Sequence, residues 1–275
     1  MKFIFDRICL ACAVLAPAPG WALLNGADPN PQRIAIGRLQ PAMEGGVAAM
    51  RENPALLATR EGIELGAGYT RALGMEDLPL WSAWAGWSGK PIAAGVWMRQ
   101  FRAGEVFRED LVIAGLAWRW GDWAVGGSGE AVQVAFAQGL GNAWATDLNL
   151  GVWGKPLEWL SVGASGRQLL QAEVGSSGEG LVRDGLAGIA VTTLDGRFSS
   201  AVSARFQGGE SRPTWQVGQT VRLASWMTLR AAVRLEPLEL AFGAGTRWKE
   251  LGLDFSMSGE GRLGWQQAVA LSWSL

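Results

Sequence analysis

Gly264-Trp-Gln-Gln-Ala-Val-Ala-Leu-Ser-Trp-Ser-Leu275 closes the chain. From Trp265 every second residue is apolar or aromatic except Gln267: Val269, Leu271, Trp273 and Leu275. Between them stand Gln266, Ala268, Ala270, Ser272 and Ser274. A strand points successive side chains to opposite faces, so this segment has one greasy face and one small, polar face. A soluble sandwich would bury the greasy face and wet the other. A membrane barrel would show the greasy face to lipid and the polar face to its lumen.

The same alternation recurs from residue 61 onward. Leu148, Leu150 and Val152 alternate with Asp147, Asn149 and Gly151; Leu238, Leu240, Phe242 and Ala244 alternate with Glu239, Ala241, Gly243 and Gly245. Strands are predicted near 61–71, 79–88, 91–103, 110–120, 122–135, 144–153, 157–168, 184–193, 197–207, 213–223, 226–235, 238–248, 251–258 and 264–275. The region 122–143 reads either as one bulged strand or as two short ones. About fourteen strands of near ten residues match the length that crosses a bilayer at a tilt. Long and short connections alternate along most of the chain, as short periplasmic turns and longer outer loops require. An even strand number returns both chain ends to the periplasmic side.

Sixteen tryptophans against a single tyrosine need an environment that favours an amphipathic ring, and a membrane interface is one. Trp87, Trp120, Trp123, Trp153, Trp159, Trp226 and Trp248 fall beside short turns, with Trp273 at the chain end on the same side. Trp81, Trp144, Trp215 and Trp265 fall near the opposite strand ends. Two aromatic belts at two interfaces are the barrel arrangement, and Trp87, Trp120, Trp123, Trp153, Trp159, Trp248 and Trp273 are the expected anchors of one of them.

The chain contains no histidine, which removes the commonest general base and the commonest metal ligand. With no carboxylate cluster at a Ca²⁺-loop spacing, neither an enzyme, a metal site nor a cofactor is expected. A net charge of −1 gives no basic footprint for nucleic acid. Residues 1–22 read as a secretory signal: Lys2 and Arg7, a short apolar stretch from Ile8 to Pro17, then small residues at Gly20-Trp21-Ala22. Removal of this segment would take both cysteines, Cys9 and Cys12, with it.

Residues 23–60 do not alternate and precede the barrel proper at 61–275. Pro29, Pro31, Pro41 and Pro54 interrupt them, and a small-residue run, Gly45-Gly-Val-Ala-Ala-Met50, leads into Asn53-Pro54-Ala55. A segment this long can fold back into the lumen as a plug or lie under the barrel as a tail. In the plug reading Asn53, Pro54 and Ala55 form its anchor and gate. Asn53 bonds backbone freed where Pro54 stops a helix, and Ala55 is small enough to approach a wall.

The Gly-rich run followed by Asn53-Pro54-Ala55 resembles the N-terminal region of the FadL superfamily of bacterial outer-membrane barrels. The segment Ala145–Leu170, with Asp147-Leu-Asn-Leu-Gly151 before a short turn, is similar to the mid-barrel hairpin of its PorV and PorQ branch, and Leu253-Asp-Phe-Ser256 fits the same pattern. The resemblance implies an all-β, closed antiparallel transmembrane barrel in the outer membrane with a plug-like N-terminal segment. It further implies a non-enzymatic accessory role in protein secretion or surface attachment, with secretion-system or surface proteins as partners beside outer-membrane lipid. The alternatives are a FadL-like channel for hydrophobic or amphipathic small molecules and a simple diffusion pore.

If the apolar face meets lipid, the lumen receives Glu64, Arg99, Arg119, Asp147, Arg167, Arg205, Arg222, Arg230, Arg234, Glu239, Arg247 and Asp254. Arg205, Arg222, Arg230, Arg234 and Arg247 fall on successive strands and are expected to form one basic wall, faced by Asp147, Glu239 and Asp254. Such a wall would favour anions or seat a polar head group, unless cross-strand pairing neutralises it. The longest outer connection, around 171–183, reads as a glycine- and serine-rich loop carrying little apolar surface.

Overall fold

The computed structural model describes residues 30–275 except 39, 72–74, 76, 137–141, 175–180, 194 and 261–263. The expected secretory signal at 1–22 lies outside the described residues.

Alternation with short polar turns leaves one arrangement that satisfies every ladder, and the chain adopts it. Fourteen strands pair antiparallel with their neighbours in sequence, and the first pairs with the last to close a barrel. They are β1 (Gly62–Arg71), β2 (Pro79–Gly89), β3 (Ile92–Ala103), β4 (Phe107–Trp120), β5 (Trp123–Phe136), β6 (Asn142–Leu157) and β7 (Leu160–Arg167). There follow β8 (Asp184–Thr192), β9 (Phe198–Gln207), β10 (Thr214–Ala224), β11 (Met227–Arg234), β12 (Glu239–Trp248), β13 (Leu251–Glu260) and β14 (Trp265–Ser274). The terminal strand of the sequence closes the seam, with Ile63 and Leu275 exchanging backbone hydrogen bonds of 3.0 Å in both directions. The region read as one strand or two is the single strand β5, in unbroken register with both neighbours. Two-residue turns at 90–91, 121–122, 158–159, 225–226 and 249–250 all lie at the end that holds both termini of the barrel. The connection 168–183 lies at the other end.

The greasy face points outward. Leu65, Leu116, Leu150, Ile189, Phe242, Phe255 and Leu271 are all exposed. In water each would forfeit about 1.5–3 kcal/mol relative to burial. A hydrocarbon surround removes that cost, and a closed barrel leaves no unpaired edge to be wetted inside it. Trp87, Trp120, Trp123, Trp159 and Trp248 are exposed near the short-turn end, and half-buried Trp273 stands with them. Trp153 does not belong to that belt. It shares the inward parity of Asp147, Asn149 and Gly151, is only 1 % exposed, and donates Nε1 to the Ala42 carbonyl at 2.9 Å. Proximity to a short turn suggested an anchor, but strand parity overrides it.

Candidate functional site

The described part of the N-terminal segment lies inside the barrel. Asn30 caps a short helix α1 (Pro31–Ala35), its Oδ1 accepting from the Gln32 and Arg33 amides. Two 3₁₀ turns follow, Gly46–Ala49 and Pro54–Thr59. Proline at the head of the second turn fixes φ and lacks an amide that would have no partner there, so Pro54 starts a turn as well as stopping one. Asn53 uses its whole side chain: Oδ1 accepts from the Ala55 amide at 3.0 Å, and Nδ2 donates to the carbonyls of Pro41 and of Val152 on β6, both at 2.9 Å.

The wall makes room for this segment with inward-facing glycines. A Cβ at Gly126 on β5 would lie 2.5 Å from the Ala55 nitrogen, and one at Gly151 on β6 would overlap the Asn53 side chain. Gly163 on β7 meets the Pro41 backbone, Gly218 on β10 the Ile36 carbonyl at 2.6 Å, and Gly243 on β12 Ala35. Contacts on five strands around the circumference place residues 35–55 across the lumen and not beneath it. Side-chain bonds add to the seat. Ser165 donates Oγ to the Glu52 carbonyl at 2.5 Å, Arg119 donates to the Ala58 carbonyl at 3.2 Å, and Gln216 donates to the Ile36 carbonyl at 3.1 Å. Gln32 donates to Asp254 at 2.5 Å, and Arg38 to Ser258 and Gln266, each at 3.2 Å.

The segment is also tied to itself. Arg33 and Glu52, 2 % and 3 % exposed, form an ion pair in which Nε reaches Oε1 at 2.7 Å and the other guanidinium nitrogen reaches Oε2. The Gln40 backbone joins them from both sides, its amide donating to Oε2 and its carbonyl accepting from Arg33, each at 3.1 Å. A buried pair of this kind tolerates its own desolvation because its lone pairs and protons are occupied by neighbours.

The lumen is paired and not a basic wall. Arg205 and Arg167 share Asp184, with Arg205 Nε at 2.9 Å from Oδ2. Arg230 meets Asp254 at 2.7 Å, and Glu239 takes Arg234 at 2.7 Å and Arg38 at 3.6 Å. Arg99 pairs with Glu109. Arg222 and Arg247 sit apart from these, exposed at the short-turn mouth, where Arg247 donates to Ser274 at 2.9 Å. Asp147 serves as a cap for the long loop, accepting from the Leu170 amide at 2.9 Å and the Ala172 amide at 3.3 Å. Two wall carboxylates outside the expected set, Glu109 and Asp184, take up Arg99, Arg167 and Arg205; both are buried.

Two further features lie outside what alternation alone indicates. The inward side of β2–β6 carries a large apolar cluster: Leu80, Trp84, Trp97, Phe101, Phe107, Leu111, Ile113, Val132 and Val134 pack with Val47, Met50, Leu56 and Leu57 of the lumenal segment, interrupted by the buried Arg99–Glu109 pair and by Ser82, Ser128, Glu130, Asp147 and Asn149. Val174 and Leu181, the ends of the long loop, close it from above. The opposite half, β8–β14, presents Asp184, Ser203, Gln216, Arg230, Glu239, Asp254, Ser256, Ser258 and Ser272 inward. Below the segment, toward the short-turn end, a cavity of about 890 Å³ opens between Val47, Arg60, Glu64, Ser161, Thr192, Thr220, Arg222, Arg230 and Ser272. The lumen thus runs from a packed, largely apolar region, through the folded segment, into a vestibule lined by both polar and apolar side chains.

No protein-family model matches the sequence, and no curated protein does. Solved structures match the fold. The Ralstonia pickettii toluene transporter TbuX is 14 % identical, with 90 % of this chain and 98 % of that chain covered and a TM-score of 0.70. The CymD monoaromatic hydrocarbon channel is 17 % identical over 89 % of this chain and 97 % of that chain, with a TM-score of 0.69. A Pseudomonas aeruginosa FadL homologue is 12 % identical over 88 % and 96 %, with a TM-score of 0.58. At these identities the likeness establishes a shared barrel architecture.

Proposed function

We propose that this barrel sits in a bacterial outer membrane and admits small hydrophobic molecules through a lumen gated by residues 30–60. The observation that carries the reading is the apolar cluster on the inner face of β2–β6, which runs from the long-loop end down onto Val47, Met50, Leu56 and Leu57 beside the mutually paired Arg99 and Glu109. A diffusion pore for polar solutes gains nothing from burying Trp97, Phe101, Leu111 and Ile113 inside its lumen, whereas a hydrocarbon finds there the surface it prefers to water. The fold shared with a toluene transporter and a monoaromatic hydrocarbon channel supports the same substrate class. The secretion-accessory role implied by the hairpin at 145–170 draws no comparable support from the lumen. The apolar chamber is packed with side chains, so passage needs the lumenal segment to shift. Asn53, Pro54 and Ala55 are the natural gate, because they hold the segment to β5 and β6.

The test is initial uptake of labelled toluene by cells whose outer membrane lacks other hydrocarbon channels. Expression should raise the rate severalfold, and Trp97→Asp combined with Leu111→Asp should abolish the gain while leaving a heat-modifiable barrel in the membrane. Uptake that is independent of the protein, or a gain for a small sugar in place of toluene, would overturn the reading.

A further inference from the structure

The outer rim of β3 and β4 carries a charge arrangement that lumenal transport does not use. Arg102 and Arg108 are direct register partners across the β3–β4 ladder. Alternation sets both on the outward face, in line with Met98, Gln100, Asp110 and Val112, and both are exposed. Like charges directly opposite each other on an antiparallel pair repel. Asp110, two residues along the same face, lies 2.6 Å from Arg108 Nε and also accepts from Gln100 at 2.8 Å, and Glu105 is exposed in the turn between the two strands. Arg102 makes no ion pair among the described residues. Arg71, exposed at the end of β1, stands on the same rim.

Depth sharpens the picture. Register places Trp81, Gln100, Asp110, Gln133 and Trp144 in one outward row across β2–β6, with an exposed tryptophan at each end. Tryptophans of this kind mark the boundary between hydrocarbon and head groups. Arg102 and Arg108 lie two residues nearer the β3–β4 turn than Gln100 and Asp110, roughly 7 Å along the strand, and are the last outward-facing pair of this ladder at the long-loop end, where a spanning barrel meets head groups. One step the other way, Met98 and Val112 are exposed to hydrocarbon.

We propose that Arg102 and Arg108 bind the phosphate of an anionic outer-leaflet lipid. The two guanidinium groups offer paired N–H donors matched to phosphate oxygens, and an anion between them converts their repulsion into attraction. The acyl chains then run down the wall over Met98 and Val112, between the Trp81 and Trp144 rings. The inference rests on the outer-membrane reading above, since it takes the long-loop end to face the outer leaflet.

The purified barrel, reconstituted in nanodiscs of zwitterionic lipid, is titrated with three probes: a bis-phosphorylated acylated disaccharide, the same glycolipid without its phosphates, and inorganic phosphate. Native mass spectrometry counts bound lipid. The phosphorylated glycolipid should bind to wild type at least about tenfold more tightly than to Arg102→Gln/Arg108→Gln. The dephosphorylated form should bind both alike, and Asp110→Asn should bind no more weakly than wild type. Equal binding of the phosphorylated glycolipid by wild type and double variant overturns the proposal, as does displacement of that lipid by millimolar inorganic phosphate. A barrel that inserts and shows heat-modifiable mobility yet lacks the lipid preference counts against this site alone. A protein that fails to insert counts against the membrane reading beneath it.

Discussion

The Arg33–Glu52 pair shows how single residues hold the lumenal segment together. Two charges leave water at 2 % and 3 % exposure, and the Gln40 backbone occupies what they leave unsatisfied. Removing one partner strands the other. Glu52→Gln should therefore cost about 3–5 kcal/mol in seating of the segment, whereas Arg33→Met with Glu52→Leu should cost far less. Limited proteolysis of residues 30–60 in the inserted barrel reads the difference: the single variant is expected to be cut quickly and the double variant slowly, and equal resistance would deny the pair that role. The sequence points toward Asn53-Pro54-Ala55 by position and chemistry, but Arg33 and Glu52 are invisible in it. They stand nineteen residues apart in a stretch without period, and only the closed lumen brings them together. The expectation for Trp153 fails for a related reason: nearness to a turn does not set the face of a strand residue, and parity turns Trp153 inward.

At the scale of elements, alternation made nearly the whole fold legible, because a strand with one lipid face must keep its phase from end to end. Register gives a sharp expectation. Phe255 is exposed opposite Val269 and Ala244 near the middle of their strands, while its neighbour Ser256 is buried in the lumen. Phe255→Arg should lose about 2–4 kcal/mol of barrel stability in a lipid bilayer, and Ser256→Ala should lose much less. Equal losses in urea unfolding from vesicles would put the assigned faces in error. The apolar inner cluster does leave a mark in the sequence: in Leu111-Val-Ile-Ala-Gly-Leu-Ala-Trp118 both parities are greasy, unlike β12, whose inward residues are Glu239, Ala241, Gly243, Gly245 and Arg247. The long loop corrects another expectation. Val174 and Leu181 are buried in the apolar cluster, and Asp147 holds the Leu170 and Ala172 amides. Cutting 168–183 to four residues should lower the temperature of heat modification, with about 1.5–3 kcal/mol forfeited for each apolar side chain removed. An unshifted transition would mean that these side chains contribute nothing to stability.

At the scale of the molecule, three layers stack along the barrel axis: an apolar cluster under the long loop, the folded segment on its glycine seat, and a vestibule of about 890 Å³, lined by polar and apolar side chains alike, at the short-turn mouth. Among the described residues, 35–55 lie across the lumen between cluster and vestibule, so ions are expected not to pass while the segment is seated. The sequence left plug and tail as alternatives because nothing in a non-periodic stretch says which side of a wall it meets; the inward glycines of β5, β6, β7, β10 and β12 carry that information, and each is uninformative alone. The most direct measurement is conductance of the purified barrel in a planar bilayer, with and without residues 23–58. The intact protein is expected to be nearly silent, and the deleted form to insert and conduct steadily through the vacated lumen. Equal conductance in the two forms would contradict a lumen closed by its own N-terminal segment.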